Sequence, residues 1–270
     1  MLQKTYSIYS DDLNDVQLCV EAGKNHIACW CKKPGDNTLR AFEFFMCDDY
    51  TAENFEALID NTKLNSRLLT MPVRSTNFFW NTDEALCLPA GKDDADFLKA
   101  NFDLMFGDSF DSKIFSASTA QCTVAWRLND LQQHIAKQCF NAVAFSHPFT
   151  QLFSLLKTNN KTALYLFFYP NYFTLIAVKE NKLQFAQTRK YAIPEDVLYF
   201  VLNVFKQYDI EKNTNIFCGG FIDEKSKLYE ILYQYLEGFQ LMQVDETSFS
   251  TDEFKQYSPH YFLPYINYVV

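Results

Sequence analysis

The alternation of apolar and polar residues between positions 162 and 244 predicts a compact α/β unit. Residues 163–169 form an unbroken apolar run, as expected for a strand buried on both faces. Residues 172–179 are rich in aromatic and β-branched side chains. Glu180 and Asn181 provide a two-residue hairpin turn into a third strand, residues 182–191. These three strands are predicted to form an antiparallel meander.

Helical periodicity follows the meander. Pro194 is typical of a first helical position, and a second helix follows a short strand, residues 215–218, that ends in Gly219 and Gly220. We expect Asp223 to cap this second helix, Gly238 to end it, and residues 239–244 to form the closing strand. The two inward stripes are predicted to include Leu198, Val201, Phe205, Leu228, Leu232 and Leu236. All strands of the unit should form one mixed sheet, with 215–218 parallel to the first strand.

The N-terminal half shows the same order of elements. Residues 1–15 suit a short leading strand or arm, and strands are predicted at 16–22, 26–32, 39–47 and 67–73. Before the last of these strands, Thr51 is expected to cap a helix that reaches Lys63. The half is lengthened by an insertion at about 77–129, predicted to hold strands at 85–88, 114–118 and 122–128 and a helix at 94–106. Asn129 should cap a helix to Cys139, followed by a strand at 141–146 and a helix that begins at Pro148.

A polar segment separates the two halves. Asn159, Asn160 and Lys161 lie between two apolar blocks, so we predict domains at 1–160 and 161–270. The apolar tail 261–270 is expected to dock on the body. The fold class is therefore α/β, with two β-β-β-α-β-α domains, mixed sheets flanked by helices, and a duplicated plan.

Composition narrows the classes of function. The net charge is −9 and no Lys/Arg cluster is present, which argues against nucleic-acid partners and against an anionic membrane surface. The start of the chain lacks the apolar segment of a signal peptide, and no apolar run approaches the length of a membrane span. The eight scattered cysteines are interpreted as reduced thiols of a cytoplasmic protein.

Two consecutive β-β-β-α-β-α units resemble the actin-like ATPase superfamily, which has a ribonuclease H-like fold. More narrowly, the chain is similar to a bacterial family designated domain of unknown function 3822, whose members have an actin-like fold. The resemblance covers most of the chain, and the segments that carry it are 163–191, 197–203, 216–220 and 226–229.

The resemblance implies where a nucleotide would bind. ATPases of this superfamily carry an Asp-x-Gly turn in each domain and a Gly-Gly pair before a late helix. The first turn corresponds to Glu21 and Gly23, and the pair to Gly219 and Gly220, so these four are the candidate cofactor-binding residues. The second turn, residues 169–172, has neither acid nor glycine, and Pro170 removes a backbone donor that a phosphate would use. A polar strand end and a tight strand-to-helix turn are the alternative interpretations of these residues.

Other candidate chemistry is sparse. Cys29 and Cys31 lack the spacing and the second ligand pair of a zinc site, and the four histidines are widely separated, so no metal site is predicted. The aromatic runs suit a core, although Phe78, Phe79 and Trp80 lie near loop signals and allow an exposed patch for a partner.

We interpret the chain as an actin-like pseudo-enzyme without catalytic residues and without a cofactor, which acts by binding a protein partner. The alternative is a nucleotide-binding ATPase or kinase-like member of the superfamily, with ATP and Mg²⁺ as cofactors. A third interpretation is an enzyme that uses the interdomain cleft for a small molecule.

Overall fold

The structure, a computed structural model, describes residues 2–35, 38–156 and 162–266. In chain order its strands are β1 (Gln3–Tyr9), β2 (Gln17–Gly23), β3 (His26–Lys32), β4 (Ala41–Met46), β5 (Thr76–Trp80), β6 (Ala85–Leu88), β7 (Ser112–Ser118), β8 (Thr123–Asn129), β9 (Val143–Ser146), β10 (Thr162–Phe168), β11 (Tyr172–Lys179), β12 (Lys182–Lys190), β13 (Asn215–Gly220) and β14 (Phe239–Leu241). The helices are α1 (Phe55–Asn65), α2 (Ala95–Phe106), α3 (Asp130–Cys139), α4 (Pro148–Leu152), α5 (Pro194–Gln207), α6 (Lys227–Tyr235) and α7 (Leu263–Ile266). Single 3₁₀ turns occupy Leu68–Thr70, Phe153–Leu155, Glu246–Ser248, Asp252–Gln256 and Pro259–Phe262.

The first sheet has the strand order β1-β4-β3-β2-β5-β9. Strands β2, β3 and β4 form an antiparallel meander, and β5 and β9 add in parallel beside β2. All seven residues of β3 are buried, because apolar groups cover both faces of this central strand. The predicted leading segment forms β1, which pairs antiparallel with β4 at the edge of the sheet.

The second sheet has the order β12-β11-β10-β13-β14. The prediction of a meander with β13 parallel to its first strand is confirmed. Glu180 and Asn181 have φ of 54° and 59°, the left-handed pair that a two-residue hairpin with a type I′ turn requires. Helices α5 and α6 cover one face through Val201, Phe205 and Leu232.

The insertion forms a third sheet, β6-β8-β7, on which α2 packs. A continuous apolar core then joins the three sheets, since Val20, Trp126 and Tyr165 belong to one buried cluster. The two main sheets therefore share an interior along their contact.

One predicted strand is wrong. Residues 67–73 form the 3₁₀ turn Leu68–Thr70, and the strand that follows α1 is β5. Pro72 lies inside the mispredicted segment, where it would remove a ladder hydrogen bond from a central strand. The insertion consequently begins after Trp80, and Phe78, Phe79 and Trp80 are buried in the first sheet rather than exposed to a partner.

Several predicted helix ends are also corrected. Asn54 rather than Thr51 occupies the N-cap position of α1, and Ser226 rather than Asp223 caps α6. Helix α6 ends at Tyr235, and Gly238 is instead required where the chain passes Thr214, because a Cβ there would lie 2.1 Å from the Thr214 carbonyl oxygen. The closing strand stops at Leu241.

The burial of the helix stripes agrees with the prediction except at one position. Leu198 is only half-buried, whereas the other five predicted residues are buried: Val201, Phe205, Leu228, Leu232 and Leu236.

The C-terminal segment docks on the first sheet. Tyr265 packs with ring centroids 5.0 Å from Trp30 and 4.9 Å from Phe42, and Phe262 lies 5.3 Å from Phe42. The C-terminal segment therefore packs on the first sheet up to residue 266. The predicted domain boundary at 159–161 and the last four tail residues lie outside the described residues.

Candidate functional site

The first candidate turn joins β2 to β3 and contains a buried carboxylate. Glu21 is fully buried; its Oε1 lies 2.8 Å from His26 Nε2 and accepts a hydrogen bond from Asn81 Nδ2 at 3.2 Å. Asn81 directly follows β5, the parallel neighbour of β2. Within the described residues the second carboxylate oxygen, Oε2, has no hydrogen-bond partner.

His26 links this turn to the second sheet. Its Nδ1 lies 3.3 Å from the hydroxyl of Tyr172, the first residue of β11. When Nε2 carries the ring proton and donates to Glu21, Nδ1 can accept from the hydroxyl of Tyr172. Burial, together with the charge of Glu21, raises the pKa of Tyr172 well above its usual value, which keeps this hydroxyl protonated.

The second candidate turn is filled by stacked aromatic rings. Tyr169 and Tyr172 have ring centroids 4.7 Å apart, and the Tyr169 N–H donates to the Tyr172 carbonyl at 2.9 Å. His26 stacks on Tyr169 at 5.5 Å and on Phe44 at 4.9 Å. The turn thus presents side chains, rather than backbone amides, to the first turn.

Gly23 lies where the two turns meet. A Cβ on this residue would be 2.0 Å from His26 Cε1 and 2.5 Å from the hydroxyl oxygen of Tyr172. The space that a glycine leaves for a phosphate in an Asp-x-Gly turn is therefore occupied by the protein's own side chains. Lys24, the nearest cation in the sequence, pairs with Asp83 at 2.5 Å.

The Gly-Gly pair is covered in the same way. A Cβ on Gly219 would lie 2.7 Å from Leu263 Cδ1, so the C-terminal segment packs directly on this residue. Gly220 has φ of +79°, and a Cβ there would be 2.2 Å from the Phe168 carbonyl oxygen. The ring of Phe221, the next residue, lies 4.6 Å from Phe44.

The structure therefore brings all four predicted residues into one region. His26 stacks on Phe44, and Phe44 contacts Phe221 next to Gly220, so a chain of rings joins the first turn to the Gly-Gly pair. His26, Asn81 and Leu263 were not among the predicted site residues. His26 is the first residue of a correctly predicted strand beside the first turn, so the sequence does display its placement. Asn81 follows β5, a strand that was not predicted, and the position of Leu263 depends on tertiary docking.

A second buried carboxylate shows the contrast with Glu21. Glu43 of β4 accepts hydrogen bonds from Lys4 Nζ at 2.8 Å and from the Arg67 backbone N–H at 2.9 Å, and also from the hydroxyls of Tyr9 and Ser66. Both of its oxygens are satisfied, as is usual for a buried structural carboxylate. Across residues 2–35, 38–156 and 162–266, no group of three or more His, Cys, Asp or Glu side chains is arranged to hold a metal ion.

The fold belongs to the actin-like ATPase class. A protein of unknown function with an actin-like ATPase fold from Bacteroides thetaiotaomicron VPI-5482 has a TM-score of 0.72 at 14% identity, over 84% of this chain and 91% of that one. The PilM-PilN type IV pilus biogenesis complex gives 0.65 at 10% identity, over 92% and 96%. The ethanolamine utilization protein EutJ from Carboxydothermus hydrogenoformans gives 0.52 at 8% identity, over 87% of each chain.

The chain belongs to the family described as protein of unknown function (DUF3822), whose model matches residues 6–239. Among curated proteins there is no match. None of the helices in the described residues is both long and apolar enough to cross a bilayer.

Proposed function

We propose that the chain is a non-catalytic protein of the actin-like fold class, a pseudo-enzyme that acts by binding a protein partner. One observation carries this proposal: the faces of Gly23 and Gly219 that would meet a nucleotide are filled by His26, Tyr172 and Leu263. A ligand would have to displace buried aromatic and aliphatic side chains from a close-packed interior, which is energetically unfavourable.

Electrostatics supports the same conclusion. A phosphate near the first turn would meet the carboxylate of Glu21, while Lys24 is already paired with Asp83. Pro170 has no N–H to donate in the second turn. Like charges brought together in a low-dielectric interior repel strongly, so the region disfavours a nucleotide even if its side chains rearrange.

Two equivalent domains, 1–160 and 161–270, are part of the proposal. The two main sheets have the same succession of antiparallel and parallel neighbours, in the order β4-β3-β2-β5-β9 in the first sheet and β12-β11-β10-β13-β14 in the second. This correspondence supports a duplicated plan in which the first domain gained β1 and the insertion.

A protein partner and a cytoplasmic location complete the proposal. A chain of the PilM-PilN type IV pilus biogenesis complex has a similar fold, which supports a binding role for the fold. All eight cysteines are free thiols, as is usual in a reducing compartment.

A thermal-shift experiment tests the proposal against the ATPase or kinase-like alternative. A ligand at 100 times its Kd stabilises the folded state by about 2.7 kcal/mol. We expect Mg-ATP to leave the melting temperature unchanged. A rise of several degrees, reversed by dialysis, would support the nucleotide-binding alternative.

A further inference from the structure

The strongest unexplained surface lies on the insertion. Helix α2 buries Leu98 and Phe102 on its sheet but leaves a second apolar stripe in solvent, formed by Phe97, Leu104 and Met105. These residues are seven and eight positions apart, the spacing that one face of a helix presents to another helix. Leu104 is 83% exposed, and Phe110 in the following loop is 93% exposed.

The stripe continues into a groove. Met105 and Phe106 line a cavity of about 750 Å³ between β6 and β12, the edge strands of two different sheets. Each of the four apolar residues of β6 is only half-buried, although the strand belongs to a sheet with a packed helix. Large contiguous apolar surfaces of this kind are characteristic of binding sites.

The charge around the stripe indicates the sign of the charge on the partner. Between Asp83 and Asp111 the chain has eight acidic residues and two lysines, a net charge of −6 out of −9 for the whole protein. Lys24 and Arg127, from outside this segment, pair with Asp83 and Glu84, so the acidic residues next to the stripe are the aspartates from Asp93 onward. Asp93, Asp96 and Asp108 are exposed beside the stripe. Complementary charge would come from lysine or arginine, and this acidic face repels anionic lipid and nucleic acid.

A second copy of the chain does not supply that charge. Its other large exposed apolar surface, on α5 and α6, includes Tyr199 and Tyr233. Between Glu195 and Glu237 the chain has eight acidic and four basic residues, so the two surfaces carry charge of the same sign. Self-association through them is therefore disfavoured.

We propose that the stripe on α2, with Phe110 and the groove between β6 and β12, docks a basic amphipathic helix of a partner protein. The apolar face of that helix packs on Leu104 and Met105, and its lysine or arginine residues face the surrounding aspartates. This inference rests on the proposed binding function and names the site at which binding occurs.

A pair of designed peptides tests the site on the full chain. One is a Leu/Lys amphipathic helix of roughly 18 residues, about five turns, and the other replaces each Lys by Glu. We expect the Leu/Lys peptide to bind with a micromolar Kd that weakens as salt rises, and the Leu/Glu peptide to bind at least about 100-fold more weakly.

The variants separate docking from general charge attraction. The double substitution Leu104→Ser with Phe110→Ser keeps every charge and should weaken the Leu/Lys peptide about tenfold or more. Asp96→Asn with Asp108→Asn should weaken it and flatten the salt dependence. Leu64→Ser is the matched control, because Leu64 of α1 is also 83% exposed, and it should leave the Kd unchanged.

Several outcomes would contradict the proposed docking site. These are no binding of the Leu/Lys peptide below about 1 mM, equal binding of both peptides, or equal loss in the Leu64→Ser control. Dimerisation of the free chain that Leu104→Ser abolishes, or binding to anionic vesicles, would also overturn it. If the site fails while Mg-ATP still does not bind, only the surface is wrong; if Mg-ATP binds tightly, the proposed function itself fails.

Discussion

Gly220 is a glycine that the backbone requires. Its φ is +79°, in the left-handed region, and β13 passes so close to β10 that a Cβ would meet the Phe168 carbonyl oxygen at 2.2 Å. The Phe221 N–H donates to that same oxygen at 2.9 Å. The Gly-Gly pair is therefore explained by the close approach of two strands, without any ligand.

Replacing Gly220 by alanine should be severely destabilising. The substitution combines left-handed strain with a clash against backbone, and we expect a loss in the free energy of unfolding well above 3 kcal/mol, or no folded protein. Gly91→Ala is the control, because Gly91 has φ of +77° with no atom within 4 Å of a Cβ. It should lose about 1 kcal/mol in urea denaturation. Equal losses for both variants would contradict the clash.

His147 makes the fold sensitive to acid. This fully buried ring accepts from the Phe149 N–H at 3.1 Å, which caps α4, and its Nε2 donates to the Thr82 carbonyl at 3.1 Å. Burial lowers the pKa of His147 from 6.5 to about 4. Between these values the unfolded chain binds a proton that the folded protein does not, so stability falls as the pH is lowered.

The pH dependence can be measured by urea denaturation at about pH 7.5 and about pH 5. His147 alone should reduce the free energy of unfolding by roughly 2 kcal/mol between pH 6.5 and 5, at about 1.4 kcal/mol per pH unit. His147→Asn keeps a capping side chain and should remove this part of the slope. Exposed His134→Asn is the control and should keep it; a slope unchanged in His147→Asn would contradict the assignment.

At the scale of elements, the sequence predicts the bounds of a strand best where turn residues flank it on both sides. The bounds of β3 and β11 agree to the residue with prediction, because flanking turns delimit continuous apolar runs. Segment 67–73 failed because a short apolar run suits a strand and a 3₁₀ turn equally, and only Pro72 distinguishes them. The predicted helix caps were wrong where several polar residues near the start of the helix were each suitable as the cap.

Helix packing at the second sheet gives a graded prediction. Leu232 of α6 is fully buried, and Leu232→Ala should reduce the free energy of unfolding by roughly 2–5 kcal/mol. Leu198→Ala should cost less, because that side chain is only partly buried. Urea denaturation of both variants measures the difference. A loss below about 0.5 kcal/mol at Leu232 would mean that the face of α6 toward the sheet is assigned wrongly.

At the scale of the whole molecule, the two sheets meet through side chains rather than across an open cleft. Glu21, Gly23, Gly219 and Gly220 could be chosen from the sequence because the order of elements places their turns at equivalent strand ends. The filling of the space between them could not be predicted, since Leu263 reaches Gly219 only after the C-terminal segment has docked. Such contacts join residues distant in sequence and leave no local pattern.

The most direct test of this closed arrangement is calorimetric titration of the full chain with Mg-ATP. We predict no binding tighter than about 1 mM, near −4 kcal/mol, and no ATP hydrolysis above background. The variant is Glu21→Gln, and exposed Glu237→Gln serves as its control. A micromolar Kd that Glu21→Gln abolishes and Glu237→Gln preserves would show that the region between the two sheets binds nucleotide.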